Sequence, residues 1–293
     1  MCSVPPSEVL VESNGTLAVL RVFARQELTV ARRSRWMQIF AIVFASLTLA
    51  IAASGYILSG GNGIQDFART AASLLQLVLL IVPLAALLMA VLALTPEPGG
   101  AELLFAQPVP RGLVLAGSLL GLFEALAAAQ ILGFGAAGIV IFLQAGDDGL
   151  ASYLLVAVGS LALTAVFLAL GAVVSIGQIG RRRIRAIARA LVLWFVLALV
   201  FDIAVLGVAS LLRSGHASRL LIVSCLVNPI DAVRTGVLLG VEGTAAFGPA
   251  SLALLRFTGS ATATAGWILM SLVFWISLPA ALATRRLARI DIV

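Results

Sequence analysis

Six long apolar runs constrain the fold of this chain more than any other feature of its sequence. They cover residues 37–59, 71–94, 113–143, 151–176, 190–212 and 263–284, and each is long enough to cross the roughly 30 Å hydrocarbon core of a bilayer as a helix. Because a membrane-spanning segment must satisfy its own backbone hydrogen bonds, the runs predict an all-α integral membrane protein with six transmembrane helices. We expect residues 1–293 to form a single transmembrane domain, preceded by a loose tail at residues 1–14.

Glycines in the third run carry two local predictions. Gly117 and Gly121 are separated by three residues, a spacing that offers a small-residue face for close helix contact. Gly133, Gly135 and Gly138 lie near the other end of the same run. Since that run is too long for one straight crossing, we expect a break or a tilt of the helix there.

An amphipathic stretch at residues 17–36 precedes the first run. Apolar residues recur in it at helical spacing, five arginines occupy most of the remaining positions, and Trp36 stands at the boundary to the first run. Arginine-rich amphipathic helices of this kind lie in the plane of the membrane interface. We therefore expect an N-terminal interfacial helix at residues 17–36, with a polar extension of the first membrane helix as the alternative.

The arginines are distributed unevenly between the two sides of the six-span arrangement. Fourteen of the nineteen lie on the side of both termini, and five, namely Arg69, Arg213, Arg219, Arg234 and Arg256, lie on the other side. Positive residues accumulate on the cytoplasmic side, so both termini are predicted to be cytoplasmic in a multi-pass protein of the plasma (inner) membrane. The basic loop at residues 177–189 is expected to anchor this topology against anionic membrane lipid, or else to contact a cytoplasmic partner.

A polar interruption at residues 95–112 separates the second and third runs. Four prolines bracket residues 99–107, which isolates a helix of about two turns. Glu102 lies in the first turn, where the helix dipole favours an acid, and Leu103, Leu104 and Phe105 form a compact apolar patch. We interpret this segment as a short helix that docks into a cleft of a partner protein. A loop helix on the membrane surface is the alternative.

Two acids fall inside the predicted spans, Glu124 in the third and Asp202 in the fifth. A charged residue at the centre of a membrane helix costs about 2.5–3.5 kcal/mol on insertion scales, so both should face protein or water. They could line a transport path or respond to protons. Alternatively, each could form a buried hydrogen bond between helices, for example to Ser118, Gln130 or Thr164.

The longest loop on the outer side, residues 213–262, contains an apolar run at residues 220–229 that is too short to span a bilayer. This run could be a re-entrant or interfacial helix, broken at Asn228-Pro229. Asp231 and Arg234 follow it on a second short helix, where a pair three residues apart is worth a few tenths of a kcal/mol.

Composition argues against several other classes of function. Hydrophobic residues make up 61% of the chain and charged residues only 11%, so its cations do not form a nucleic-acid-binding face and no nucleic acid is expected as a partner. There is no lysine, which excludes a P-loop, so ATP would have to be bound by another chain. His216 is the single histidine and the soft metal ligands are scattered, so we expect neither a metal site nor an enzyme.

Several stretches resemble the permease subunits of ABC-2 type exporters. Residues 23–28 (FARQEL) and 33–36 (RSRW) are similar to the amphipathic entry helix of that family, and residues 100–109 (GAELLFAQPV) to its coupling segment. Residues 201–204 (FDIA) and 228–234 (NPIDAVR) are similar to stretches of the permease in the branch that matures nitrous-oxide reductase.

The resemblance implies an ABC-2, type V exporter-like permease fold in a homodimer. Separate cytoplasmic ABC ATPase subunits would bind ATP and Mg and dock onto Glu102, Leu103, Leu104, Phe105 and Gln107, leaving no cofactor in this chain. The branch further implies a periplasmic β-helical protein, with Asn228, Asp231 and Arg234 as outer-loop contacts, and a sulfur species rather than copper as cargo. A proton-coupled carrier, or a non-transporting scaffold, using Glu124 and Asp202 is the alternative function.

Overall fold

The computed structural model describes residues 13–59, 63–95, 109–145, 150–176, 183–241 and 257–289. Regular structure within these ranges is entirely helical. The helices are α1 Ser13–Arg33, α2 Arg35–Ser59, α3 Gly63–Leu94, α4 Arg111–Ala145, α5 Leu150–Ile176, α6 Arg183–Leu211, α7 Ser214–Val227, α8 Pro229–Val241 and α9 Ala261–Arg289. A π-helical segment, Val196–Val200, lies inside α6.

Six of these helices, α2 to α6 and α9, are long and apolar enough to cross a membrane. The predicted all-α membrane fold with six spans is therefore confirmed. Two helices begin well before their predicted spans: α3 begins at Gly63 instead of residue 71, and α6 begins at Arg183 instead of residue 190. The early start of α6 involves the basic loop. The first turns of α6 carry three arginines from this loop, whose long side chains can reach the interface while the backbone remains helical.

The central element of the fold is α5. It packs against α3, α4, α8 and α9, and nine of the ten residues from 163 to 172 are buried. Gly171 lies where a side chain would collide with α3, because a Cβ there would be 2.5 Å from Ala90 Cβ. Close packing on several sides therefore fixes α5 in the middle of the helix assembly.

The ends of four helices meet in a small apolar cluster, next to the arginines at the start of α4 and at the end of α9. Leu94 at the end of α3, Leu115 near the start of α4, Ile176 at the end of α5 and Leu287 of α9 belong to it and are buried. The Arg111 guanidinium donates to the carbonyl of Leu287 at 3.4 Å. A cation at the carboxyl end of a helix is favourable, so this contact reinforces the cluster.

The amphipathic helix α1 packs across α4, where the spacing of Gly117 and Gly121 predicted a close helix contact. A Cβ on Gly117 would be 2.5 Å from Phe23 Cβ, and one on Gly121 would collide with the backbone of Ala24. The helix breaks at Ser34, so the last two residues of the predicted 17–36 segment belong to α2. One face of α1 is thus buried against protein.

The predicted break in the third run is absent, since α4 continues through Gly133, Gly135 and Gly138. Two of these glycines admit aromatic rings instead. A Cβ would be 2.8 Å from Phe44 Cδ1 at Gly133 and 3.1 Å from Tyr153 Cε1 at Gly138. Small residues here allow α2 and α5 to approach α4 closely. The other expectation for this long run, a tilt of the helix, stays a prediction.

The helices α7 and α8 form a bent pair with an angle of 101° between Gly215–Val227 and Pro229–Gly240. Together the two helices are long and apolar enough to form a broken span or a re-entrant loop. Ile230, Ala232, Val233 and Val237 of α8 are buried, and α8 packs against α5 and α9. The loop at residues 213–262 thus contributes a packed helix to the fold.

Candidate functional site

Polar side chains from α6 and α8 meet in what we call the outer cluster: Asp202, Asn228, Asp231 and Arg234. Arg234 is its centre, because its Nη1 atom lies 2.8 Å from Asp202 Oδ2 and 2.8 Å from Asp231 Oδ1. The pair within α8 has the spacing noted in the sequence. The pair to Asp202 joins two helices and was not predicted.

Asn228 caps the N-terminus of α8, the helix that carries Asp231 and Arg234. Its Oδ1 atom accepts a hydrogen bond from the backbone N–H of Ile230 at 3.1 Å, and Pro229 follows as the first helical residue. Asparagine before the first turn and proline in it are both favoured at helix starts. The Asn228 side chain is fully buried, so the cap belongs to the interior of the protein.

The other end of the Asn228 amide reaches two further groups. Its Nδ2 donates to Asp231 Oδ2 at 3.1 Å and to the carbonyl of Leu197 at 2.9 Å. Leu197 belongs to the π-helical segment of α6, where Phe201 N–H bonds to the carbonyl of Val196, five residues earlier. One buried amide therefore links the start of α8 to the irregular turn of α6.

The π-helical segment also sets the direction in which Asp202 projects. One additional residue in a helical turn rotates everything after it by about 100° relative to a regular α-helix. Asp202 lies immediately beyond this turn, on the side of α6 that faces Arg234. Removal of the extra residue would therefore turn the carboxylate away from its partner.

Burial makes the outer cluster sensitive to the loss of charge. The exposed fractions of the side chains are 30% for Arg234, 27% for Asp202 and 15% for Asp231. Two carboxylates share one guanidinium, so removing Asp202 leaves Arg234 paired with Asp231, whereas removing Arg234 leaves two acids close together. The second change should be much more damaging.

Three other polar residues interact between α4 and α5. Gln130 Nε2 donates to Thr164 Oγ1 at 2.7 Å, and Ser160 Oγ donates to Gln130 Oε1. All three side chains are buried. Gln130 and Thr164 appeared in the sequence only as possible partners of the two acids; here they satisfy each other.

Of the remaining predicted site residues, the structure describes Glu124. Glu124 is exposed on α4, without a hydrogen bond or ion pair in the described part of the chain. The predicted coupling residues Glu102, Leu103, Leu104, Phe105 and Gln107 lie outside the described residues. Among the side chains that the structure describes, no three of His, Cys, Asp and Glu are grouped as a metal site would require.

One acid outside the spans has an altered environment. Glu27 of α1 lies against Gly121, where an added Cβ would be 2.8 Å from Glu27 Cβ. Burial raises the pKa of this carboxyl above its usual value. Burial disfavours the charged form of this carboxyl, so ionisation of Glu27 at neutral pH lowers the stability of the folded protein.

Comparison with known sequences places the chain among membrane transport proteins. The family described as ABC-2 family transporter protein matches residues 21–292. A "Probable ABC transporter permease protein NosY" from Pseudomonas aeruginosa is 36% identical over 275 residues, which cover 91% of this chain and 97% of that protein. A protein of the same name from Stutzerimonas stutzeri is 32% identical over 266 residues, or 89% and 94% of the two chains. The chain belongs to the ABC-2 family of transporter proteins.

Proposed function

We propose that this chain is the permease subunit of an ATP-driven ABC-2 transporter that serves the maturation of the copper site of nitrous-oxide reductase. The observation that carries the proposal is the match to two permeases of the same name over nearly their whole lengths. ATP and Mg would be bound by a separate cytoplasmic ABC ATPase. The chain itself would supply the membrane path or the mechanical link to the outer face.

Residues 99–107 are the proposed docking site for the ATPase. They connect α3, which ends at Leu94, to α4, which begins at Arg111. Because the adjacent ends of α3 and α4 share an apolar cluster with α5 and α9, a displacement of this segment would be transmitted to four helices. This arrangement supports a coupling role for Glu102, Leu103, Leu104, Phe105 and Gln107.

A second copy of the chain is the proposed partner for α6. No residue from 191 to 211 is buried. Apart from Ser210, the exposed side chains of this stretch are apolar, including Leu199, Ile203 and Leu206. Lipid or a second apolar helix could cover such a surface. We favour the second copy because the resemblance to ABC-2 exporters implies a homodimeric permease.

The outer cluster is the proposed route by which events at the outer face reach α6. Asp231 and Arg234 are partly exposed, and Arg234 is bonded directly to Asp202 of α6. A periplasmic β-helical partner that contacts this region would therefore act on the helix that we assign to the permease dimer. Asn228 is buried, so its part would be to position the two charged residues.

The alternative function, a proton-coupled carrier that uses Glu124 and Asp202, has less support. The two acids are on different helices, α4 and α6, and no ion pair or hydrogen bond joins them within the described ranges. Asp202 is already paired with Arg234. A relay between these two carboxylates would need groups that the described part of the chain does not bring to them.

Co-purification of a cytoplasmic ABC ATPase with the tagged permease tests the proposal. Replacement of both Leu104 and Phe105 by Asp should release the ATPase from the tagged permease while membrane insertion continues. Phe257→Asp is the matched control, since Phe257 is an exposed phenylalanine in the loop between α8 and α9, and it should retain the ATPase. Equal recovery of the ATPase with the double variant and the control would refute the docking site.

The assignment to nitrous-oxide reductase needs its own test. The gene should restore the copper-site absorption spectrum of nitrous-oxide reductase in a denitrifying bacterium that lacks its own permease gene. The Leu104 and Phe105 double variant should fail to do so. If the unaltered gene is expressed but restores no spectrum, the chain is a permease for another purpose.

A further inference from the structure

A groove of about 440 Å³ runs between α4 and α5, in the halves that lie away from the arginine-rich ends of the helices. We call it the α4–α5 groove. Its walls include Ile131, Gly135, Ile139 and Leu143 from α4, and Leu150 and Leu154 from α5. The lining is almost entirely apolar, and the residues of the outer cluster are not part of it.

The few polar groups at the groove already have partners. Gln130 lies at the end of the groove nearest the middle of α4 and is hydrogen-bonded to Ser160 and Thr164. The hydroxyl of Tyr153 donates to the backbone carbonyl of Phe134. Water is retained in a cavity only where polar groups are free to bind it. A polar ligand would likewise find no free hydrogen-bond partner in this groove. The groove therefore favours an apolar occupant.

Its length corresponds to one leaflet of a bilayer. The thirteen helical steps from Gln130 to Leu143 rise about 20 Å, and half of the hydrocarbon core of a bilayer is about 15 Å thick. The groove thus begins near the middle of the span and continues to the end of the helices. One extended hydrocarbon chain from that leaflet would lie along it.

The groove is continuous with the apolar outer surface of the membrane spans. Ile131, Ile139, Leu143 and Leu154 line it and are also exposed on the surface of α4 and α5. Hydrocarbon from the bilayer is therefore adjacent to the groove along its length. An empty groove would forfeit the dispersion contacts of all its walls, which a hydrocarbon chain would restore.

We propose that the α4–α5 groove binds one acyl chain of a phospholipid, from the leaflet on the side opposite the arginine-rich helix ends. This lipid would be held longer than the lipids that surround the rest of the protein, because its chain would contact two helices and the groove floor. The proposal requires only that α4 and α5 span the membrane and does not depend on the transported cargo.

Gly135 provides a direct test, since its position allows the groove to be filled without distortion of the protein. A Cβ built there has no heavy atom within 4 Å, so the side chain in Gly135→Leu would extend into the groove. Gly266→Leu in α9 is the matched control, because Gly266 is also on an exposed helix face with no atom within 4 Å of an added Cβ. Both substitutions replace a helical glycine by a good helix former.

The experiment uses the full-length chain in vesicles of phosphatidylethanolamine and phosphatidylglycerol that contain a phosphatidylethanolamine with a diazirine on its acyl chain. After photolysis, the labelled peptides are mapped by mass spectrometry. We expect labelling of residues 131–143 and 150–154 to exceed that of the exposed α9 surface at residues 267–274 several-fold. Gly135→Leu should remove this excess, and Gly266→Leu should leave it unchanged.

Three results would overturn the proposal. Equal labelling of the groove and the α9 surface in the unaltered protein would mean that only ordinary surrounding lipid is present. Absence of label from the groove would mean that a protein surface, such as a second copy, covers it. An excess that persists in Gly135→Leu would place the bound chain elsewhere.

Discussion

The helices α5 and α6 are both long, apolar and able to span a membrane, yet they are held in opposite ways. In α5 the side chains from 163 to 172 are almost all buried between other helices. In α6 no residue from 191 to 211 is buried. Hydrophobicity alone therefore does not determine which membrane helix is central and which is peripheral.

In α6, specific polar contacts add to packing that is mostly partial, since Leu193, Trp194 and Leu197 contact the core without being buried. The Arg183 guanidinium donates to the carbonyl of Leu92 at 2.8 Å, and Trp194 Nε1 donates to the carbonyl of Leu80 at 3.0 Å. Further along, the Leu197 carbonyl and Asp202 are bound by Asn228 and Arg234. A helix attached at a few such points can move or be covered by a partner without disturbance of the core.

The largest effect is expected in α5. Phe167 is fully buried, so Phe167→Ala should lower the free energy of unfolding by about 3 kcal/mol. This value is at the low end for a large buried side chain, because lipid and not water surrounds the helices when they separate. Phe195→Ala in α6, at a site that is exposed in the single chain, should change the unfolding free energy of the dissociated protomer by less than about 1 kcal/mol. Unfolding in a denaturing detergent titration measures both. Similar losses would contradict the contrast between the two helices.

The next effect concerns Arg234. Arg234→Gln leaves Asp202 and Asp231 without a cation and should cost about 2 kcal/mol. Asp202→Asn keeps the Asp231 pair and should cost less than about 1 kcal/mol, with normal assembly and activity. The two variants are compared in the same unfolding assay and in transport. Loss of activity in Asp202→Asn with assembly intact would mean that the charge of Asp202 is needed for function, either on the transport path or in the route from the outer cluster to α6.

A smaller effect is expected where Trp194 binds α3. Trp194→Phe removes the donor to the Leu80 carbonyl but retains an aromatic ring, so the cost should be about 0.5–1 kcal/mol. Hydrogen exchange in the first half of α6 should increase, while exchange in α5 should not change. An equal increase in both helices would mean that α6 is coupled to the core more tightly than its exposure indicates.

The smallest effect is expected at Glu27, outside both helices. Because the pKa of this carboxyl is raised in the folded state, the folded protein holds the proton more tightly than the unfolded chain does. Stability should therefore fall as pH rises from the usual glutamate range to the raised pKa, and then level off. Glu27→Gln should remove this dependence and raise the stability at neutral pH. An unchanged pH profile in the variant would contradict the assignment.

The sequence was sufficient for the number and position of the spans, because each span is an uninterrupted apolar run. It was also sufficient for the contact at Gly117 and Gly121, although not for the identity of the partner helix, α1. It could not separate α5 from α6, since burial depends on neighbours that are distant in the chain. The break expected at Gly133 and Gly138 is absent, since these glycines admit Phe44 and Tyr153; the tilt that was its alternative stays a prediction.

The residues of the candidate site could be predicted from the sequence, but not all of the contacts between them. Asp202, Asn228, Asp231 and Arg234 were each singled out, but the pair between Asp202 and Arg234 spans 32 residues and depends on the π-helical turn of α6. No pattern of spacing predicts such a turn. The buried polar contacts of Gln130 were missed for a similar reason, because three uncharged residues on two helices give no periodic signal.

Cysteine cross-linking along α6 tests most directly whether its apolar surface is covered by a second copy. Single cysteines at Leu199, Ile203 and Leu206, in a chain with Cys2 and Cys225 replaced by Ser, are oxidised in native membranes. The account predicts a disulfide-linked dimer at one or more of these positions and none for Leu269→Cys on the exposed face of α9. Cross-linking through α9 with none through α6 would contradict it.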